Sequence, residues 1–125
     1  MLDIQEILQK VSYRHTHLCP RQILGVRMAL AGAVALGVDL PQSGKNLLVI
    51  AETDGCFVDG LEVVAGVTPG HRTLRIEDYG KVGATFVNVS RGEALRLAPR
   101  LDVRSHALGY APDEPQHYFA QLRAY

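Results

Sequence analysis

The sequence predicts a single α+β domain with a mixed, partly antiparallel sheet of about four or five strands flanked by helices. Three observations support this fold class. Apolar residues recur at helical spacing near the N-terminus, a short continuous apolar run at 46–51 is typical of a central strand, and alternating segments joined by turns follow residue 72. The 125 residues, of which 47% are hydrophobic, suit one domain spanning residues 1–125.

Three helices are predicted in the first half of the chain. Residues 2–11 carry one apolar stripe at helical spacing, whereas residues 22–37 are apolar on almost every side and predict a deeply buried helix. Small residues in this second helix would let another backbone approach closely: Gly25, Ala29, Gly32 and Ala33. A third helix is expected from about Cys56 to Ala65, after the central strand, and Gly66 is well placed to end it.

The second half of the chain is predicted to form most of the sheet. Three strands are expected there, at 73–78, 84–89 and 94–98. Turns at 79–81 and 90–93 would join them as an antiparallel meander. Residues 99–112 have the composition of a loop, and a last helix is expected from Asp113, as its cap, to the C-terminus.

Charge and hydropathy exclude several classes of function. The chain has 13 Lys and Arg and 13 Asp and Glu, and this zero net charge argues against a broad nucleic-acid surface or a polybasic membrane anchor. The N-terminus does not resemble a signal peptide, and the most apolar stretch, 23–38, is shorter than the roughly 20 residues of a membrane span. We therefore expect a cytoplasmic protein with reduced cysteines and neither nucleic-acid nor membrane partners.

Three potential metal ligands alternate in the segment that follows the first predicted helix. They are His15, His17 and Cys19, with Pro20 next in the chain. In an extended segment alternate side chains point the same way, so the three ligands would face one cavity. Imidazole and thiolate suit zinc, iron or copper, and we predict a transition-metal site here. A solvated loop rich in histidine is the alternative.

A second segment rich in reactive side chains follows the predicted central strand. Asp54, Cys56 and Asp59 lie where a strand passes into a helix, and clefts in sheet proteins often form beyond such strand ends. We predict that Cys56 is a further metal ligand, that the helix N-terminus lowers the pKa of its thiol, and that Asp54 or Asp59 acts as a catalytic base. The alternative is a capped helix with a small core cysteine.

Two turns carry weaker candidates for contacts with a bound group. Thr68 would bring a hydroxyl to the rim of a pocket, and Tyr79 and Lys81 would place a phenol and an ammonium over it. Both segments are also explained as ordinary turns, because each contains glycine.

Five motifs together resemble the FmdE family of formylmethanofuran dehydrogenase proteins, over about residues 10 to 98. The resemblance rests on their order and spacing as well as on their residues. The motifs are His15-x-His17-x-Cys19-Pro20, Leu24-Gly25-Val26-Arg27-Met28-Ala29, Glu52-Thr53-Asp54-x-Cys56-x-x-Asp59, Gly66-x-Thr68-x-Gly70 and Asp78-x-Gly80-Lys81.

The resemblance implies a thioredoxin-like α+β core and a pocket built from the two cysteine segments, which holds zinc in some members. It also implies a homodimer and a partner enzyme complex. The family is named after an operon for a molybdenum or tungsten enzyme of one-carbon metabolism, and that name is not an activity. Arg21 replaces the usual family glycine, adds a cation at the pocket mouth and would favour an anionic ligand. The cysteine-rich C-terminal zinc module of many members is absent.

Four functions fit these residues. The first is a metal- or small-ligand-binding domain in which His15, His17, Cys19 and Cys56 supply three ligands and leave a coordination position open for metal-assisted catalysis. The second is a haem-binding or haem-sensing module that uses Cys19-Pro20 and a histidine. The third is a thiol redox enzyme with Cys19 as attacking and Cys56 as resolving thiol. The fourth is a structural scaffold within a larger complex.

Overall fold

The computed structural model describes residues 3–14, 18–114 and 117–125, the last range without the side chains of residues 117 and 119. It confirms the α+β class, since five helices flank a mixed four-stranded sheet in the described residues. None of these helices is long and apolar enough to cross a membrane. The elements in chain order are α1 (Ile4–Ser12), α2 (Pro20–Leu36), β1 (Leu47–Ala51), α3 (Cys56–Ala65), β2 (Leu74–Ile76), β3 (Ala84–Asn88), β4 (Glu93–Leu97), α4 (Val103–Tyr110) and α5 (His117–Ala124).

The strands lie in the order β2-β1-β3-β4, and this order corrects the predicted meander. The hairpin of β3 and β4 is antiparallel, as expected. However, β2 pairs with β1 in parallel and does not pair with β3 in the described sheet. The connection after β2 instead passes the end of β1, where the main-chain oxygen of Glu52 accepts hydrogen bonds from the amides of Tyr79 and Lys81 at 2.9 and 3.2 Å. The predicted hairpin turn at 79–81 is therefore a crossing between strands that are not neighbours.

The core lies between α2 and the two central strands. Alternate residues of β1 and β3 are buried, including Val49 and Phe86, which pair across the two strands. The ring of Phe86 fills the space beside Gly32 of α2, where an added Cβ would lie 2.9 Å from the ring. A larger residue at position 32 would push the helix off the sheet. The small residues predicted to admit a neighbour thus do so for an aromatic ring here.

A second close approach joins α2 to α3. A Cβ added at Gly25 would overlap the main-chain oxygen of Phe57, and one added at Gly60 would overlap the main-chain oxygen of Gln22. The two helix backbones therefore touch where they cross, with no side chain between them. Because Gly25 and Gly60 lie within two turns of the helix N-termini, the crossing also brings those N-termini together.

The C-terminal region contains one helix more than the sequence pattern predicts. Residues 99–112 were expected to form a loop, yet they contain α4, which packs against α5. Its buried residues are alanines, Ala107 within the helix and Ala111 just after it, so the apolar pattern is too faint to recognise. The carboxylate of Asp113, predicted to cap the last helix, accepts hydrogen bonds from Arg123 at 2.9 and 3.0 Å.

Candidate functional site

The two cysteines of the chain meet at the crossing of α2 and α3. Cys19 is the N-cap of α2, and Cys56 is the first residue of α3. Their side chains form a hydrogen bond, although 37 residues separate them in sequence (56 − 19). Both thiols are free and half-buried. The prediction that the two segments share one site is consistent with this contact, which we call the thiol pair.

The surroundings of Cys56 correct one prediction about its chemistry. The helix N-terminus was expected to lower the pKa of this thiol. Instead, burial raises the pKa of Cys56 to about 11, helped by the hydrogen bond and the charge of Cys19 and by the charge of Asp59. A backbone hydrogen bond at Cys56 acts in the opposite direction and is outweighed. In the metal-free protein this thiol is therefore protonated at neutral pH.

Asp59 lies close to the thiol pair and is tied to the end of α1. It is one helical turn after Cys56, and its side chain is 20% exposed. Arg14 lies 3.9 Å from the Asp59 carboxylate and 3.4 Å from that of Glu62, so one guanidinium faces two acidic side chains of α3. This contact fixes the segment that leads to Cys19 against the helix that carries Cys56.

Two residues absent from the predicted site complete the surroundings of the thiols. Gln22 is fully buried and accepts a hydrogen bond from the amide of Cys19 at 2.9 Å. Tyr118 donates to the main-chain oxygen of Leu18 at 2.9 Å, and burial, followed by the charges of Cys19 and Cys56, raises the pKa of its phenol. Gln22 had a signal, because a glutamine three residues after an N-cap is typical of a capping box. Tyr118 had none.

The predicted histidine ligands cannot be placed. His15 and His17 lie outside the described residues. Within residues 3–14, 18–114 and 117–125, no group of three or more His, Cys, Asp and Glu side chains could hold a metal ion. The described residues therefore supply two sulfur donors in contact, which fits a soft or borderline metal, and a complete donor set requires ligands from the adjoining segment 15–17.

The remaining predicted site residues lie on the surface around these elements. Asp54 is exposed in the loop before α3, and Arg21 is exposed on the first turn of α2. The Thr68 hydroxyl bonds the ring and the amide of His71, both at 3.1 Å, and so closes its own turn. The hydroxyl of Tyr79 donates to Glu77 at 3.4 Å. The roles predicted for these residues stay predictions.

Lys81 belongs to a charged cluster at the end of β1. The Arg96 guanidinium holds the Glu52 carboxylate with two hydrogen bonds, at 2.6 and 3.0 Å. The hydrogen bond from Arg96 keeps the pKa of Glu52 below its ordinary value against the opposite effect of burial, and the positive charges of Arg96 and Lys81 add to the lowering. This ion pair anchors β4 to the strand end from which the chain turns towards Cys56.

A groove of about 440 Å³ lies beside the thiol segment. Leu18, the residue before Cys19, forms part of its wall together with α1 residues Gln5, Glu6, Leu8, Gln9 and Ser12. The groove has no charged pair or buried polar group of its own, so it offers shape and apolar contact to a ligand but little specificity.

Two comparisons relate the chain to known proteins. The model of the family described as "FmdE, Molybdenum formylmethanofuran dehydrogenase operon" matches residues 14–124. A "Probable S-adenosyl-L-methionine-binding protein" of Archaeoglobus fulgidus is 32% identical over 97 residues, which cover 75% of this chain. The match spans only 26% of that relative.

Proposed function

The chain belongs to the FmdE family, and on that premise we propose that it is a metal-binding domain whose thiol pair holds a zinc-type transition metal. One observation carries the proposal, namely the hydrogen-bonded contact between Cys19 and Cys56. His15 and His17 are the proposed nitrogen ligands, because they alternate with Cys19 in the chain. Zinc is the first choice of metal, since it accepts thiolate and imidazole together.

The electrostatics of the thiol pair favour a cation between the sulfur atoms. Cys56 is surrounded by groups of its own charge sign when ionised, namely Cys19 and Asp59. A divalent cation would reverse this repulsion and allow both thiols to bind as thiolates. The N-terminal ends of α2 and α3 would add favourable field at the same point.

The open side of the site determines what chemistry the protein could support. A bound zinc ion with a free position would polarise water or a carbonyl group. Asp59 is the better placed of the two predicted bases, because it lies near Cys56 whereas Asp54 is exposed. Arg14 holds the Asp59 carboxylate near the pair, and the exposed Arg21 would attract an anionic ligand. Catalysis, rather than binding alone, is the finer part of this proposal.

A second candidate function uses the same contact. Two free thiols within hydrogen-bonding contact are suited to form a disulfide, which favours a thiol redox role with Cys19 attacking and Cys56 resolving. The high pKa of Cys56 is compatible with a resolving thiol but not with an attacking one at neutral pH. Haem binding through Cys19-Pro20 and a purely structural role remain proposals without a supporting contact.

The partners and the small ligand are further proposals. A homodimer and an association with a molybdenum or tungsten enzyme complex would follow from the family, and one-carbon chemistry from the operon for which it is named. The relative's printed name adds S-adenosyl-L-methionine to the small ligands to be tested.

The metal proposal is tested with untagged, reduced and metal-free protein. In competition with a chromophoric chelator, we expect it to take up about one zinc ion per chain. Cobalt(II) should produce charge-transfer absorption from thiolate to metal. His17→Ala should weaken zinc binding, whereas His106→Ala, which changes an exposed histidine of α4, should not.

The other outcomes identify the alternatives. Protein that takes up no zinc, or that shows no thiolate absorption with cobalt, would overturn the proposal. A Soret band in the purified protein would support the haem hypothesis instead. A Cys19–Cys56 disulfide formed with mild peroxide, in protein that takes up no metal, would support the redox hypothesis.

A further inference from the structure

The peptide bond that leads into Cys19 is held from both sides. Its carbonyl, that of Leu18, accepts a hydrogen bond from the Tyr118 hydroxyl at 2.9 Å. Its amide, that of Cys19, donates to Oε1 of Gln22 at 2.9 Å. Because a peptide unit is planar, two hydrogen bonds on its opposite polar atoms fix the orientation of the whole unit. The direction in which the Cys19 side chain leaves the backbone is thereby fixed as well.

Gln22 is itself anchored to the end of α1. Its side chain is 0% exposed, and Nε2 donates to the main-chain oxygen of Val11 at 3.2 Å. Both ends of the amide are therefore used, one on α1 and one on the Cys19 amide. A buried amide satisfied in this way has little freedom to turn, because any other orientation would leave a polar group without a partner.

Tyr118 reaches the same peptide from the opposite end of the sequence. It lies on α5, which packs on α4 and α2. Its phenol is close enough to both thiols for their charges to act on it. The C-terminal helices thus contribute a side chain that contacts the thiol segment, although no metal-ligating residue type at 118 drew attention to it.

We propose that Gln22 and Tyr118 are positioning residues of the thiol pair, which orient the Leu18–Cys19 peptide so that the thiol of Cys19 faces Cys56. The identity of the group that the pair binds rests on the proposed function, whereas the positioning of the thiols does not. The inference predicts that loss of either hydrogen bond separates the two sulfur atoms more often, without removing either cysteine.

The test measures how strongly the metal-free protein holds its two thiols together. In a glutathione redox buffer, the two protein thiols and one glutathione disulfide exchange to give the Cys19–Cys56 disulfide and two glutathione thiols. The equilibrium constant gives the effective concentration of one thiol at the other. We expect Tyr118→Phe and Gln22→Leu each to lower it by about fivefold, which corresponds to the loss of one ordinary hydrogen bond.

Matched variants separate positioning from general destabilisation. Gln42 makes the same type of bridge away from the thiols, donating to the oxygen of Leu47 at 2.7 Å and accepting from its amide at 2.8 Å. Gln42→Leu should therefore reduce stability while leaving the effective concentration unchanged. Tyr110→Phe, on an exposed tyrosine of α4, controls for the loss of a hydroxyl.

The outcomes keep this inference separate from the metal proposal. A fall in Tyr118→Phe or Gln22→Leu no greater than in the matched controls would overturn it. If Gln22→Leu does not fold, Tyr118→Phe decides, because it removes only one half-buried hydroxyl. Lower effective concentrations in protein that takes up no zinc would support the positioning role and still overturn the metal proposal.

Discussion

Replacing Gly60 with alanine is expected to destabilise the protein by about 3 kcal/mol or more, because overpacking a rigid contact costs at least this order. The added Cβ would overlap the main-chain oxygen of Gln22 and lie 3.0 Å from the amide of Val26. Neither atom can move away as a flexible side chain would. The helices must separate instead, and their separation would pull Cys56 away from Cys19. Chemical denaturation measures the loss of stability.

The same substitution elsewhere provides the control. A Cβ at Gly109 of α4 meets nothing within 4 Å. Gly109→Ala should therefore leave stability unchanged or raise it by up to about 1 kcal/mol, since alanine favours a helix more than glycine does. Gly25→Ala should resemble Gly60→Ala, because it opens the same contact from the other helix. A Gly60→Ala protein as stable as Gly109→Ala would show that α2 and α3 do not touch at this point.

Replacing Cys19 with alanine is expected to accelerate the alkylation of Cys56 in the metal-free protein. With a pKa of about 11, Cys56 is mostly protonated, and at about pH 8 only about one part in a thousand would be thiolate. Removal of Cys19 removes its hydrogen bond and its charge, so the pKa of Cys56 falls. Each unit raises the thiolate fraction tenfold but lowers nucleophilicity about threefold, so we expect a rate increase of about three- to tenfold.

The dependence of this rate on pH gives the sign of the effect. In the unchanged protein the rate should keep rising with pH until close to the pKa of about 11. In Cys19→Ala it should level off at lower pH, although burial will hold the midpoint above that of a free thiol. Asp59→Asn should shift the profile in the same direction by less. Identical profiles with and without Cys19 would mean that the two thiols do not interact.

Local elements of this fold could be predicted from the sequence, whereas sheet order could not. The apolar run of β1 and the glycine stop at Gly66 are local signals, and both are confirmed. The parallel pairing of β1 with β2 depends on α3 packing as a crossover between them, which no turn residue indicates. Helix α4 was missed because small side chains such as Ala107 form its buried contacts.

The candidate site divides in the same way. Residue chemistry and spacing were enough to select Cys19, Cys56 and Asp59, which the fold brings close together. The pKa of Cys56 was predicted in the wrong direction because the helix N-terminus was considered without burial or the second thiol. Tyr118 could not be found, because its contact with Leu18 joins residues 100 positions apart in the chain.

The central claim is that Cys19 and Cys56 belong to one metal site. Zinc K-edge X-ray absorption of the zinc-loaded, untagged protein tests it most directly, because sulfur and nitrogen ligands scatter differently. We predict about two sulfur ligands per zinc ion, and about one in either Cys19→Ser or Cys56→Ser, since each thiolate contributes one bond. Zinc bound without sulfur, or with a single sulfur in the unchanged protein, would contradict the account.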